Sequence, residues 1–203
     1  MDELAAPTDS KDAAWVSFKT PMERQLLIDF CQDVSRLFRI NPYLEFEKWQ
    51  SCGDNCYQLT ARNLSNDPPL DLDNKLQIEP REDGVHISYH DGLKSSTTFK
   101  IESVSEGSKV TIIEDYETLN ESERQARLHE VDKSLTKWAE DIQAYLVRWK
   151  RWSWFAPWRW YMRKIWQPMK PTARRITYML LWISLIEIVV IALGVSIYFV
   201  EYR

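Results

Sequence analysis

The stretch "STTFKIESVSEGSKVTIIEDYE" (residues 96–117) contains two segments of strand composition on either side of a glycine turn. In the first segment Phe99 and Ile101 alternate with polar residues, and in the second Ile112 occupies the corresponding inward position. A two-residue period is typical of a strand with one buried face. Short strands joined by a turn that contains glycine favour antiparallel pairing, so we predict a hairpin here.

Four upstream segments have the same character and extend the hairpin into a six-stranded meander. Turn signals such as "CGDN", "SNDPP" and "REDG" separate them. An additional strand is predicted near the N-terminus, at "AWVSFK" (14–19). The four segments are "YLEFEKWQ" (43–50), "YQLTARNL" (57–64), "NKLQIEP" (74–80) and "VHISYH" (85–90).

The first predicted helix follows "TPME" (20–23), which has the composition of a capping box. We expect Thr20 as the N-cap, Pro21 at the first helical position and Glu23 closing the box. Apolar residues then recur at helical spacing as far as Phe38, and Pro42 stops the pattern. This predicts one continuous amphipathic helix with little room for a separate second one.

The second predicted helix opens at "TLNESER" (118–124), with Thr118 or Asn120 as its cap. Its apolar stripe runs from Leu128 to Trp149 in steps of three and four, which predicts about thirty residues of helix. A long antiparallel sheet curls as it twists, and such a helix would fill its concave face. The predicted fold class is α+β, with a curved antiparallel sheet of six to seven strands gripping a long C-terminal helix.

This order of elements resembles the START-like helix-grip superfamily, which includes polyketide-cyclase-like, coenzyme-Q-binding and plant-allergen-type domains. The resemblance covers about residues 14–147 and is architectural, because no short motif carries it. It implies a hydrophobic cavity between sheet and helix that holds a lipid, a quinone or a polyketide-like molecule. We predict no metal and no other cofactor, and we expect residues 1–13 to be disordered.

The inward positions are the candidate ligand contacts, although the same residues could simply pack against each other as core. Alternation along the strands and the helical stripe select twelve of them. They are Phe46, Tyr57, Leu59, Leu76, Ile78, Ile87, Tyr89, Phe99, Ile101, Ile112, Trp138 and Ile142.

Residues 176–200 read "ITYMLLWISLIEIVVIALGVSIYFV" and predict a transmembrane helix. Residues 148–175 before it carry nine bases and no acids, whereas residues 1–147 have a net charge of −12. The positive-inside rule therefore places the N-terminal domain in the cytoplasm, and a bacterial inner membrane fits best. Glu187 near the middle of the span is either an isolated protonated carboxyl group or a contact to a partner helix.

The segment 148–175 is basic and rich in tryptophan, and we call it the neck. From Pro157 to Pro168 it predicts an amphipathic helix lying in the membrane interface, which argues against nucleic-acid binding. A protein partner at the membrane is the alternative. The predicted interface residues are Trp152, Trp154, Trp158, Trp160, Arg163, Trp166, Arg174 and Arg175.

Few residues indicate chemistry. Cys52 and Cys56 are interpreted as free thiols beside a turn, with a redox-labile pair as the alternative. His86 and His90 are expected to face solvent because they alternate with Val85 and Ile87. Either Glu114 or Asp115 could point inward as a polar anchor or general acid, with a solvated carboxylate as the alternative.

Three functions therefore remain open from the sequence. The first is a membrane-anchored, cytoplasm-facing domain that binds a hydrophobic small molecule. The second is a non-catalytic accessory or assembly subunit of a larger membrane complex, with the cavity filled by side chains. The third is an enzyme, and the sequence does not decide whether any catalysis occurs.

Overall fold

The computed structural model describes residues 13–91, 94–116 and 134–201, and it contains one seven-stranded antiparallel sheet. The spatial order is β1-β7-β6-β5-β4-β3-β2, so each strand from β2 to β7 pairs with its neighbour in the chain, and β1 joins the edge beside β7. The predicted meander is confirmed. The strands are β1 (Ala13–Thr20), β2 (Leu44–Gly53), β3 (Cys56–Asn63), β4 (Leu70–Arg81), β5 (Gly84–Tyr89), β6 (Lys94–Val104) and β7 (Gly107–Tyr116).

Five α-helices accompany the sheet in the described residues. A π-helical turn (Met162–Trp166) follows the fourth of them. The α-helices are α1 (Arg24–Gln32), α2 (Val34–Arg39), α3 (Leu135–Trp152), α4 (Ala156–Tyr161) and α5 (Pro171–Glu201).

The prediction of one continuous first helix is wrong, because Asp33 separates α1 from α2. Its backbone leaves the helical region (φ −79°, ψ 73°), and its side chain accepts a hydrogen bond from the Arg36 backbone N–H at 3.2 Å. An aspartate that caps a helix in this way competes with continuation of the preceding one. The apolar period crosses the break unchanged, so periodicity alone could not reveal it.

The predicted capping box at "TPME" is also wrong. The helix begins at Arg24, and Glu23 occupies the N-cap position without a side-chain hydrogen bond. Thr20 is instead the last residue of β1, paired with Ser108. The Ser108 hydroxyl donates to the Met22 carbonyl at 3.0 Å. A Cβ on Gly107 would lie 2.3 Å from the Thr20 carbonyl oxygen, so this close approach requires glycine.

The core lies between α3 and the inner face of the sheet. Trp138, Ile142 and Tyr145 of α3 are buried in it. The Trp138 ring meets Phe38 and Phe99 edge-on, with centroids 5.2 and 5.4 Å apart, and its Nε1–H donates to the Leu37 carbonyl at 3.1 Å. The α3 helix begins at Leu135, and the earlier part of the predicted long helix (118–133) lies outside the described residues.

The chain forms two compact units, one that extends to Pro168 and one that begins at Met169. Residues 148–168 of the neck therefore belong to the unit that contains the sheet. The second unit contains α5, whose 31 residues include a window with a mean hydropathy of 2.5. By length and composition α5 is a candidate membrane span.

Candidate functional site

A cavity of about 310 Å³ opens where β5 stops short of its neighbour β4. Residues Leu76–Arg81 of β4 pair with β5, whereas residues Leu70–Gln77 pair with β3. The end of β5 and the start of β6 border the resulting step. The described lining consists of Phe38, Asn41, Leu44, Leu59, Asn63, Leu70, Asp71, Leu72, Asp73, Asn74, Tyr89, Asp91, Lys94 and Trp138.

One side of the cavity is apolar. Phe38 comes from α2, Trp138 from α3 and Leu59 from β3, and all three are buried. Leu44 and Leu72 add aliphatic surface from the neighbouring strands. An aromatic and aliphatic wall of this kind favours burial of an apolar group.

Three asparagines add polar groups to the lining of the cavity. Asn63 is only 4% exposed, and its Oδ1 accepts a hydrogen bond from the Ser65 backbone N–H at 2.9 Å. Asn74 alternates with Asp73 and Lys75 on β4, so it shares the inner face with Leu72 and Leu76. Asn41 is tied into the protein, since its Nδ2 donates to the Ser134 hydroxyl and its Oδ1 accepts from the Tyr43 N–H, both at 2.9 Å.

Lys94, which lines the cavity, forms a buried ion pair with Glu114. Lys94 Nζ lies 2.6 Å from Glu114 Oε1, and the Glu114 side chain is fully buried. The Tyr116 hydroxyl donates to the other oxygen of the Glu114 carboxylate at 2.9 Å. An irregularity in the β6–β7 register between Lys94 and Ser96 places Lys94 opposite Tyr116. Glu114 is thus the inward carboxylate that the sequence allowed, and a solvated carboxylate is excluded.

Tyr89 links the ion pair to the middle of the sheet. Its hydroxyl lies 3.0 Å from the Thr97 hydroxyl, and its ring centroid lies 5.8 Å from Lys94 Nζ. Thr97 is fully buried and is paired with Glu114 across β6 and β7. Lys94 therefore lies beside a tyrosine ring whose hydroxyl is hydrogen-bonded to a buried threonine.

The two carboxylates on β4 are directed to the outer face. Asp71 pairs with Arg62 at 2.8 Å, and this contact raises the pKa of the Arg62 guanidinium. Asp73 accepts hydrogen bonds from Gln58 at 2.6 Å and Thr60 at 3.2 Å. Asp71 and Asp73 are therefore already engaged by neighbours on the sheet.

Three of the twelve predicted ligand contacts line the cavity, namely Leu59, Tyr89 and Trp138. The other nine are not among its described lining and contribute to the core or its margin. A ligand role for any of the twelve stays a prediction. The nine are Phe46, Tyr57, Leu76, Ile78, Ile87, Phe99, Ile101, Ile112 and Ile142.

The polar part of the lining was not predicted from the sequence. The apolar alternation that marks an inner face does not distinguish Asn63, Asn74 or Lys94 from residues of the outer face. The pattern of Leu70, Leu72 and Asn74 does show a two-residue period, and it could have identified the first half of β4.

His86 lies on the face of β5 opposite Val85 and Ile87, as predicted, and His90 follows the end of the strand. His90 is exposed, whereas His86 is half-buried and its Nδ1 lies 2.8 Å from the Thr98 hydroxyl. Burial lowers the pKa of His86, and the charge of Arg81 lowers it further. Neither histidine lines the cavity.

The interpretation of Cys52 and Cys56 as free thiols is contradicted by a disulfide between them. The turn between β2 and β3 contains Gly53 and Asn55 at positive φ, and it brings the two Cα atoms to 5.3 Å. This separation lies within the usual range for a disulfide. Cys31 is a buried free thiol, and burial raises its pKa to about 12.

Aromatic packing fixes part of the neck to α3. The Trp149 ring lies 5.4 Å from Trp158, and Tyr145 lies 5.8 Å from Trp166. The Arg36 guanidinium covers this group, 4.5 Å from the Trp149 centroid, and donates to the Tyr145 hydroxyl at 2.6 Å. Trp166 is only 9% exposed, because its ring packs against other residues of the same domain.

The other predicted interface residues differ in exposure, and Arg174 is buried. Trp152, Trp154 and Trp160 are exposed, as is Arg163, and Trp158 is half-buried. Arg174 and Arg175 lie near the start of α5, and Glu187 lies near its middle. Contact of these residues with a membrane or a partner stays a prediction.

No known family model and no curated protein matches this sequence. Solved structures do show similarity. A START superfamily protein from Mycobacterium smegmatis is 9% identical, with a TM-score of 0.49, over 67% of this chain and 97% of that one. A ginseng (Panax ginseng) major latex-like protein is 18% identical, with a TM-score of 0.47, over 66% and 97% of the two chains.

A polyketide-cyclase-like protein from Corynebacterium glutamicum is 15% identical, with a TM-score of 0.40, over 70% of this chain and 93% of that one. Because these identities and TM-scores are low, the fold is assigned from the topology of the chain itself. One strand, two short helices, a six-stranded meander and a long helix packed on the sheet form a START-like helix-grip fold.

Proposed function

We propose that this protein binds a hydrophobic small molecule in the cavity between α3 and the sheet. The observation that carries the proposal is the cavity of about 310 Å³, walled by Phe38, Leu59 and Trp138. Small-molecule sites are typically concave, largely apolar and provided with a few polar groups, and they start at roughly 300 Å³. A lipid portion, a quinone or a polyketide-like molecule has the matching chemistry.

We further propose that the domain is anchored to a membrane by α5 and faces the cytoplasm. The length and hydropathy of α5 support the anchor. The nine bases of residues 148–175 support the orientation. Exposed Trp152, Trp154 and Trp160 would lie among lipid headgroups, where aromatic rings are favourable.

The cavity is tested by ligand capture with the full-length protein. The protein is purified in a mild detergent and transferred to amphipol, and bound molecules are extracted and identified by mass spectrometry. We expect an apolar compound that is absent from empty amphipol. The neutral probe N-phenyl-1-naphthylamine should also bind and become fluorescent.

Two tryptophan substitutions on β4 localise the binding. Leu72→Trp places a larger ring in the cavity, and it should weaken probe binding about tenfold or more. Lys75→Trp adds the same ring on the exposed outer face of the strand and should leave binding unchanged. Equal binding by both variants, or no captured compound and no probe binding, would reject the proposal.

The anchor is tested in membranes. The full-length protein should stay with the membrane pellet in alkaline carbonate, and a variant lacking residues 171–201 should not. In inside-out vesicles an added protease should digest the domain, whereas in right-side-out vesicles the domain should be protected. The reverse protection pattern would contradict the proposed orientation.

The accessory-subunit alternative gains no support from the described residues. The cavity is not filled by side chains, which that alternative required. A stoichiometric membrane partner that is lost on Glu187→Leu would revive it.

A further inference from the structure

A second pocket, of about 340 Å³, lies between α1 and the end of α3. Its described lining has no residue in common with that of the first cavity. Met22 and Phe30 line it with buried apolar side chains, and Trp149 of α3 adds an indole ring. The Lys150 ammonium, also in the lining, donates to the Pro21 carbonyl and so connects the end of α3 to the segment before α1.

Two guanidinium groups bring positive charge to this pocket. Arg36 lies 4.5 Å and Arg163 lies 5.3 Å from the centroid of the Trp149 ring. Neither arginine forms an ion pair within the described part of the chain. Arg36 is half-buried, and its buried Nε–H has no acceptor among the described residues. A partly buried charge without a counter-charge costs free energy, so these groups favour a ligand with an anionic group such as phosphate.

Three exposed carboxylates, those of Glu23, Asp29 and Asp33, line the same pocket. Asp33 caps α2, but over residues 13–91, 94–116 and 134–201 none of the three forms an ion pair with the bases of the pocket. Opposite charges therefore line one pocket without compensating each other. A ligand that carries both a phosphate and an ammonium group compensates both signs, whereas a ligand with a single charge also meets like charge.

The pocket borders the exposed part of the neck. Ser153 lines it and is flanked in the chain by Trp152 and Trp154, whose side chains are exposed. Leu26 of α1 also lines it and is 55% exposed. Exposed apolar and aromatic side chains beside a charged pocket suit an amphiphile whose head group enters the pocket and whose chains stay outside.

We infer that this pocket binds the head group of a zwitterionic phospholipid, such as phosphatidylethanolamine. Arg36 and Arg163 bind the phosphate, and Glu23 and Asp29 bind the ammonium group. This inference rests on the proposed membrane anchor, and it adds the class of lipid that the domain recognises. It is independent of the ligand in the first cavity.

The test is native mass spectrometry of the full-length protein in a non-ionic detergent. Three dioctanoyl lipids are titrated, namely phosphatidylethanolamine, phosphatidylglycerol, which lacks the ammonium group, and a trimethylammonium-propane lipid, which lacks the phosphate. Phosphatidylethanolamine should bind about tenfold more tightly than either, because each of the others loses one charged contact. Free O-phosphoethanolamine, which has the head group without chains, should bind more weakly than the lipid.

A pair of neighbouring substitutions tests the phosphate contact. Arg163→Gln should weaken phosphatidylethanolamine binding about tenfold, because it removes one charged contact. Lys164→Gln makes the same change of charge at the next position, which is exposed and outside the pocket, and it should leave binding unchanged. Arg163 is exposed as well, so both variants should unfold at the temperature of the unmodified protein.

A second pair of variants tests the ammonium contact. Glu23→Gln/Asp29→Asn should reduce the preference for phosphatidylethanolamine over phosphatidylglycerol. Glu47→Gln/Asp54→Asn removes two exposed acids from β2 and the turn after it, outside the pocket, and should keep the preference.

The outcomes separate this inference from the proposed anchor. Equal binding of the three lipids, or tightest binding of phosphatidylglycerol, overturns the inference and leaves the anchor standing, whereas loss of the protein from the carbonate pellet overturns the anchor. Equal effects of the pocket variants and their controls overturn the location of the site. Binding of free O-phosphoethanolamine as tight as that of the lipid overturns the lipid assignment in favour of a soluble zwitterion.

Discussion

Lys94 of β6 reaches Glu114 of β7 across 2.6 Å, and the carboxylate that it meets has no solvent exposure. The lysine side chain retains 17% exposure because it borders the cavity. The main contribution of a buried ion pair is that each charge compensates the other, because one buried charge without its partner is strongly destabilising. The pair therefore couples the stability of the sheet to the polar wall of the cavity.

Removing one member of this pair should be strongly destabilising. Lys94→Met leaves the Glu114 carboxylate buried with only part of its compensation, and we expect a loss of about 3 kcal/mol in the free energy of unfolding. The double variant Lys94→Met/Glu114→Gln removes both charges and should recover much of that loss. Urea denaturation followed by tryptophan fluorescence provides the measurement.

Lys100→Met is the control for the ion pair. Lys100 lies on the same strand and pairs with Glu102, and both side chains are about half exposed. Exposed pairs contribute little, so the change should stay within about 0.5 kcal/mol. An equal effect of Lys94→Met and Lys100→Met would show that the buried pair has no special role.

Trp166 and Trp160 of the neck should differ in how much they contribute to the free energy of unfolding. Trp166 is 9% exposed and packs on Tyr145, so Trp166→Ala should lower the free energy of unfolding by about 3 kcal/mol. Trp160 is 60% exposed, so Trp160→Ala should change it by less than about 0.5 kcal/mol. The comparison uses thermal and urea unfolding of the two full-length variants.

The membrane proposal adds a second measurement on the same variants. Trp160→Ala should reduce quenching of neck fluorescence by brominated lipids in reconstituted bilayers, because an exposed ring has been removed. Equal stability loss in both variants would mean that the described packing of Trp166 does not hold the neck.

The cysteines should divide into one thiol and one disulfide. The chain has three cysteines, of which Cys31 is buried with its pKa raised to about 12, and Cys52 is bonded to Cys56. Without reductant, the native protein should gain no iodoacetamide adduct at pH 8, because the buried thiol is protonated. The denatured protein should gain one adduct, and after reduction it should gain three.

Intact-protein mass spectrometry counts these adducts. Three adducts in the denatured, unreduced protein would mean that Cys52 and Cys56 are free thiols, as the sequence interpretation had it. Rapid alkylation of Cys31 in the native protein would contradict its burial.

His86 should make the fold less stable in mild acid. Burial lowers its pKa in the folded state below the ordinary value of 6.5. As the pH falls below 6.5, the unfolded chain therefore binds the proton first, and stability decreases until the pH passes the lowered folded pKa. Above pH 6.5 this contribution is fully present.

His86→Gln tests the histidine, because glutamine can keep a hydrogen bond to Thr98 without titrating. Its free energy of unfolding should vary less between pH 7 and pH 5 than that of the unmodified protein. His90→Gln, on the exposed end of the same segment, should keep the original pH dependence. If the free energy of unfolding varied equally with pH in all three proteins, His86 would not be the cause of the pH dependence.

The strands were predictable because their signal is local. In β5 the inner residues Val85 and Ile87 stand at alternate positions, and turn residues separate the consecutive strands β2 to β7. The break at Asp33 was not predictable in this way, because the apolar stripe runs across it without a change of period. The start of α1 was misplaced because Thr20 is held by the sheet edge and not by the helix that follows.

The sequence by itself determined the order of the strands, the α+β class and the apolar span at the C-terminus, since periodicity and hydropathy are properties of neighbouring residues. Tertiary structure alone decided the polar wall of the cavity. Lys94 and Glu114 are twenty positions apart, and a register irregularity beside Lys94 brings them together. Trp158 and Trp166 of the neck were predicted to lie at the membrane interface, and only the tertiary structure shows that their rings pack on Trp149 and Tyr145 of the same domain.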